Sequence, residues 1–169
     1  MNITLIGMSG AGKTTIGKLL SKKLGYGLVD VDDLIKARID TDLQSFIDSA
    51  GEEAFLDMEK KAVLDLTPSG SCIIATGGSV VYSEDAMDHL GSISTIVYLD
   101  APFGRIARRI DPSKRGVVGF KEKTLEELYR ERRMLYEKYM DVHIKIKKNE
   151  GKAAIVNRII DLCFKKNDS

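Results

Sequence analysis

The chain of 169 residues holds only two cysteines, Cys72 and Cys163, both in apolar stretches. Two thiols are too few for the bridges that staple a small secreted fold, so buried thiols in a reducing compartment are expected. Charge of one sign is also missing. Against 26 basic residues stand 25 acidic ones, a net charge of +1. That balance exerts no pull toward nucleic acid or anionic lipid, and no aromatic-basic surface pattern points to a nucleic-acid partner. No apolar run approaches the length of a membrane span. The N-terminus lacks the basic region of a secretion signal, and its apolar stretch runs straight into a glycine loop. Repeats and low-complexity segments are absent. What remains is the expectation of a cytoplasmic monomer with no membrane or nucleic-acid partner. Its 43% apolar and 30% charged residues suit a globular protein, and its length suits one domain over 1–169.

What the chain does contain is Gly7-Met8-Ser9-Gly10-Ala11-Gly12-Lys13-Thr14, a match to the phosphate-binding pattern G-x-x-x-x-G-K-[ST]. Ile3-Thr4-Leu5-Ile6 ahead of it reads as a strand. Thr15 to Leu24 behind it has apolar residues at helical spacing, with Gly25 as its cap. Glycines let the backbone wrap a phosphate with its N–H groups turned inward. The helix N-terminus adds partial positive charge. Gly10, Ala11, Gly12, Lys13, Thr14 and Thr15 are therefore the candidate nucleotide-binding residues. Lys13 would reach the β- and γ-phosphates, and the Thr14 hydroxyl would ligate Mg²⁺. The motif does not say what receives the phosphate.

Further strands are expected at 27–32, 72–76, 95–99 and 143–146. Helices are expected over about 33–39, 42–48, 52–66, 84–90, 102–110, 124–139 and 151–164. The alternation implies an α/β fold, a parallel five-stranded sheet between two layers of helices, with ligands at the carboxyl ends of the strands. Asp30 and Asp32 fall at one such end. If the strand continues through them, both point to one side: one carboxylate would serve Mg²⁺ through water, the other an attacking hydroxyl. The alternative is that they cap the following helix. Thr76-Gly77-Gly78-Ser79 falls at another strand end, where paired glycines permit close approach to a ligand, or else form a plain turn capped by Ser79 or Ser83. Arg105, Arg108 and Arg109 form a helical basic cluster. The aperiodic stretch from Asp111 to Gly119 that follows reads either as a solvated basic loop or as a mobile lid bringing Arg115 over the phosphates. Thr124 and Glu127 make a capping box, opening a helix with Leu125, Leu128, Met134 and Leu135 as its apolar stripe. Of Arg130, Arg132 and Arg133, on different faces, at most two would reach a site.

Taken together, GMSGAGKT, Asp30-Val31-Asp32, Phe55 with Glu59, TGGS, Val97-Tyr98-Leu99, Arg115 and Glu131 to Glu137 resemble the shikimate kinase family. These are small P-loop kinases of the nucleoside-monophosphate-kinase type, and the resemblance spans nearly the whole chain. It implies ATP- and Mg²⁺-dependent phosphorylation of one hydroxyl of shikimate, giving shikimate 3-phosphate on the route to aromatic amino acids. It also implies roles for single residues. Lys13 would hold phosphate, Thr14 and Asp30 the metal. Asp32 would bind substrate hydroxyls and act as base. Gly77 and Gly78 would touch substrate with their backbone, Arg115 would be the lid arginine, and Arg132 would hold the substrate carboxylate. Arg109 would pack on adenine, with 147–152 flanking the base. The substrate-binding region would lie at about 32–60 and the lid at about 111–123.

Three positions depart from the family pattern. Phe-Arg-x-x-Glu becomes Phe55-Leu56-Asp57-Met58-Glu59; the third glycine of the second turn is Ser79; the proline after the lid arginine is Gly116. Leucine carries no charge and donates no hydrogen bond, so a lost charge-assisted contact would cost about 1.5–3 kcal/mol. Lys60, Lys61 or a rotated Arg132 would have to replace it, or the acceptor is another small hydroxylated molecule. A gluconate- or nucleotide-type kinase and a non-catalytic nucleotide-binding module are the other readings.

Overall fold

The computed structural model describes residues 1–111 and 116–164. Five strands, β1 (Ile3–Ile6), β2 (Gly27–Asp30), β3 (Cys72–Ala75), β4 (Thr95–Asp100) and β5 (Val142–Lys145), form one sheet in the order β2-β3-β1-β4-β5. Every pairing is parallel, with Ile3 beside Ile73 on one flank and Thr95 on the other. The central strands β1 and β3 are buried along their whole length, as continuous apolar runs in a covered parallel sheet should be. At the edge, β5 alternates buried and exposed residues.

The helices are α1 (Lys13–Leu24), α2 (Val31–Lys36), α3 (Leu43–Ala50), α4 (Glu52–Leu64), α5 (Glu84–Ile93), α6 (Phe103–Arg109), α7 (Leu125–Tyr139) and α8 (Lys152–Phe164), with one 3₁₀ turn at Val80–Tyr82. Gly25 ends α1 in the left-handed conformation. Ser83 caps α5 by accepting from the Ala86 N–H. The Thr124–Glu127 capping box opens α7. Each is a local sequence signal that the tertiary structure kept.

Two expectations fail. The second strand stops at Asp30 instead of running to Asp32, because the Asp30 carboxylate accepts from the Asp32 N–H and starts α2. Asp30 and Asp32 therefore do not alternate along a strand: one is a cap, the other lies in the first helical turn. On α7 the buried face carries Leu128, Arg132 and Tyr136, four residues apart, while Met134 is 74% exposed. Chemical character misled there, since a charged residue took the core face and an apolar one the solvent face. No helix among the described residues is long and apolar enough to cross a membrane.

Candidate active site

Because β1 lies between β3 and β4, the carboxyl ends of β1, β2 and β3 open on one crevice. The first of them runs into the glycine loop. Gly10 and Gly12 have φ of 81° and 100°, a region that costs an ordinary residue strain. Gly12 is also the N-cap of α1 and offers no side chain to its first-turn N–H groups, so these donors face the crevice as an anion site. Lys13 is buried, and its ammonium donates to the carbonyls of Gly7 at 2.6 Å and Met8 at 2.8 Å. Burial lowers its pKa to about 8. The Thr14 hydroxyl, on the exposed side of the same turn, donates to Asp30 Oδ2 at 2.6 Å. One aspartate thus caps α2 with one oxygen and meets Thr14 with the other.

A cleft of about 500 Å³ runs over this loop, lined among others by Gly12, Lys13, Asp32, Gly77, Arg109 and Lys152. Arg109 overhangs it, donating to the Gly10 carbonyl at 3.4 Å. Next to the cleft, Arg105, Arg108, Arg109 and Lys148 to Glu150 surround a shallower hollow, so the segment expected to flank the base does stand beside Arg109.

The second half of the crevice is built around Gly77 and Gly78, both buried. Neither has a left-handed φ; close approach explains them. A Cβ on Gly77 would stand 2.4 Å from Glu59 Oε2 and 3.1 Å from Asp32 Oδ1, and one on Gly78 would stand 2.9 Å from both the Arg132 guanidinium and the Ser9 hydroxyl. The two carboxylates thus crowd one face of the turn and the guanidinium crowds the next residue. Burial, and then the charge of Asp30, raise the pKa of Asp32. Arg132 is 1% exposed and donates to the Tyr82 hydroxyl at 3.2 Å and the Val118 carbonyl at 2.7 Å. One helical turn on, the Tyr136 hydroxyl donates to the Gly78 carbonyl at 2.6 Å, so α7 fixes both the turn and the cation beside it. Asp32, Glu59, Arg132 and the two glycines, with Ser9, Phe55, Ser79 and Val117, line a pocket of only about 30 Å³, room for about one water. The residues after the undescribed stretch close it: Gly116 N–H donates to Gln44 and Gly119 N–H to Glu52, at 2.7 Å each. The expected Arg115 lies outside the described residues.

Glu59 and Tyr136 were not among the expected site residues, and both had a signal. Glu59 lies one turn after Phe55, and Tyr136 one turn after Arg132, each on a buried helix face. Leu56 does not line the small pocket. It borders a neighbouring hollow of about 290 Å³ that shares Glu59 and Ser79 with it. Lys60, on the same wall, is ion-paired with Asp85, and Lys61 is exposed, so neither supplies a free cation to the pocket. Arg130 and Arg133 pair with Glu126 and Glu137 on the surface of α7.

A parallel sheet with a phosphate loop after its first strand, facing a second pocket lined by an aspartate and an arginine, defines a P-loop kinase that passes phosphate to a small molecule. The family model for shikimate kinase matches residues 9–163. The "Shikimate kinase 1" of Yersinia pestis (strain Pestoides F) is 35% identical over 165 residues, 95% of each chain. A solved shikimate kinase from Acinetobacter baumannii, in complex with shikimate, superposes with a TM-score of 0.87 at 27% identity, over 99% of this chain and 95% of that one. The Aquifex aeolicus shikimate kinase gives 0.80 at 29%, over 99% and 98%. A deoxyadenosine kinase from M. mycoides, 17% identical over 98% of this chain and 100% of that one, shares the fold at 0.60. The chain belongs to the shikimate kinase family and is an ATP-dependent, Mg²⁺-using small-molecule kinase.

Proposed function

We propose that the acceptor is shikimate, phosphorylated to shikimate 3-phosphate by a single kinase domain acting as a monomer in the cytoplasm, with no nucleic-acid or membrane partner. The observation that carries the reading is the gathering of Asp32 beside Gly77 and Arg132 beside Gly78 in one pocket next to the Lys13 loop. The Acinetobacter relative, with shikimate bound, supports it. The first-turn N–H groups of α1 and the Lys13 ammonium would hold the phosphates of ATP, and Arg109 would stand by its base. The Thr14–Asp30 oxygens suit Mg²⁺, a hard cation that takes one or two protein oxygens and otherwise phosphates and water. That ion neutralises charge on the phosphates when bound. Asp32, partly desolvated, accepts a hydrogen bond from the attacking hydroxyl and takes its proton as the phosphate transfers. The Gly77 and Gly78 backbone lets the ring approach, and Arg132 meets the carboxylate. Because the pocket is so small in this state, shikimate entry requires the 116–120 segment to move off α3 and the start of α4.

An ATP-consumption assay over shikimate, quinate, gluconate, other polyols and nucleoside monophosphates tests this. Shikimate is expected to give the highest kcat/KM; preference for another acceptor would overturn the assignment. Leu56→Arg adds a cation one turn before Glu59 and is expected to lower the KM for shikimate about tenfold, roughly 1.4 kcal/mol. An unchanged KM would show that position 56 does not reach the acceptor.

A further inference from the structure

Among the described residues, one buried side-chain polar atom lacks any partner: Glu59 Oε2. Its sister oxygen accepts from the Ser79 hydroxyl at 2.7 Å. Glu59 is 2% exposed, and an orphaned buried oxygen is destabilising unless something meets it. Oε2 lies on the face of Gly77 that Asp32 also approaches, and Glu59 lines the acceptor pocket. Leu56, sharing the neighbouring hollow with it, has nothing to donate. Lys60 is held by Asp85. The arrangement leaves a buried carboxyl on the wall of the acceptor pocket with one oxygen unmet.

Resting on the reading of shikimate as acceptor, we propose that Glu59 binds it as the neutral acid, its Oε2–H donating to the shikimate carboxylate alongside Arg132, with Ser79 fixing the other oxygen. An ionised Glu59 would set two carboxylates against each other in a dry pocket; the protonated one turns repulsion into a hydrogen bond. The groups facing Glu59 allow this. Asp32 on α2 favours the neutral form, while Arg132 on α7, Lys13 on α1 and the Ser79 hydroxyl oppose it, and burial outweighs them, raising its pKa to about 7. The Tyr82 and Tyr136 phenols nearby have their pKa raised by burial and stay neutral. Glu59 is therefore neutral below about pH 7 and charged above, so affinity for a carboxylate acceptor falls as pH rises through that point.

The test is the pH dependence of KM and kcat for shikimate between about pH 6 and about pH 8.5. The wild-type KM is expected to rise up to about tenfold per unit above pH 7. Lys13 acts in the same range, so Glu59→Gln, which donates but does not titrate, separates the two: its KM for shikimate should lose this rise while kcat/KM for ATP keeps the decline that Lys13 imposes. Should that variant fail to fold, Ser79→Ala serves, since losing the Ser79 hydrogen bond moves the KM inflection to higher pH. Calorimetry of shikimate binding to the wild type in two buffers of different ionisation enthalpy should show proton uptake at pH 8. A flat wild-type KM, the same KM rise in Glu59→Gln, or binding without proton uptake overturns the proposal and leaves shikimate as substrate. No shikimate turnover at any pH, with another acceptor used, overturns both.

Discussion

Asp32→Asn is expected to lower kcat about 10²–10⁴-fold, the usual contribution of a positioned base, while the Kd for ATP, read by fluorescence titration, changes little. Asn keeps the shape and can still orient a hydroxyl, but it cannot take the proton. The side chain stands beside Gly77, with burial and Asp30 raising its pKa, which brings a carboxylate toward the range where proton transfer is efficient. The substitution leaves the fold intact, because the Asp32 N–H that donates to Asp30 belongs to the backbone. A variant with wild-type turnover would remove Asp32 from the chemistry.

Lys13→Met is expected to cost about 10²–10³-fold in kcat, the scale of losing one preorganised contact to developing charge in a water-poor site. ATP affinity should fall as well. Methionine fills the space of the lysine stem but leaves the Gly7 and Met8 carbonyls without their donor, so a thermal melt should show a small loss of stability. The wild type carries a pH signature of the same group. With its pKa lowered to about 8 by burial, Lys13 loses its charge as pH rises past that value, and kcat/KM for ATP should decline there. Lys13→Met should lack this decline. If it keeps the decline and the wild-type turnover, the loop is not the phosphate cradle.

Most of the donor half was legible in the sequence because its parts are contiguous. Strand, glycine loop and helix follow one another from Ile3 to Leu24, and local chemistry dictates each. The acceptor half was legible only as fragments. Asp32, the Gly77–Gly78 pair and Arg132 come from three parts of the chain, and only the sheet order brings them together. Sequence periodicity placed Met134 on the apolar stripe of α7 and treated its arginines as mainly surface charge; the fold buried Arg132 because the Tyr82 hydroxyl and the Val118 carbonyl were there to receive it. The end of β2 went astray for a related reason: a strand that runs into Asp-Val-Asp looks continuous until the first aspartate is seen capping a helix. That Leu56 leaves Glu59 short of a partner follows from the sequence; that Asp85 holds Lys60 and that Ser79 meets only one of the two oxygens does not.

Phosphate transfer from the Lys13 loop to a hydroxyl of shikimate is tested most directly by phosphorus NMR of the products of ATP, Mg²⁺, shikimate and the enzyme. A new phosphate monoester is expected in step with ADP, and is expected to be lost in Asp32→Asn. ADP accompanied only by inorganic phosphate, or no ADP at all, would contradict it.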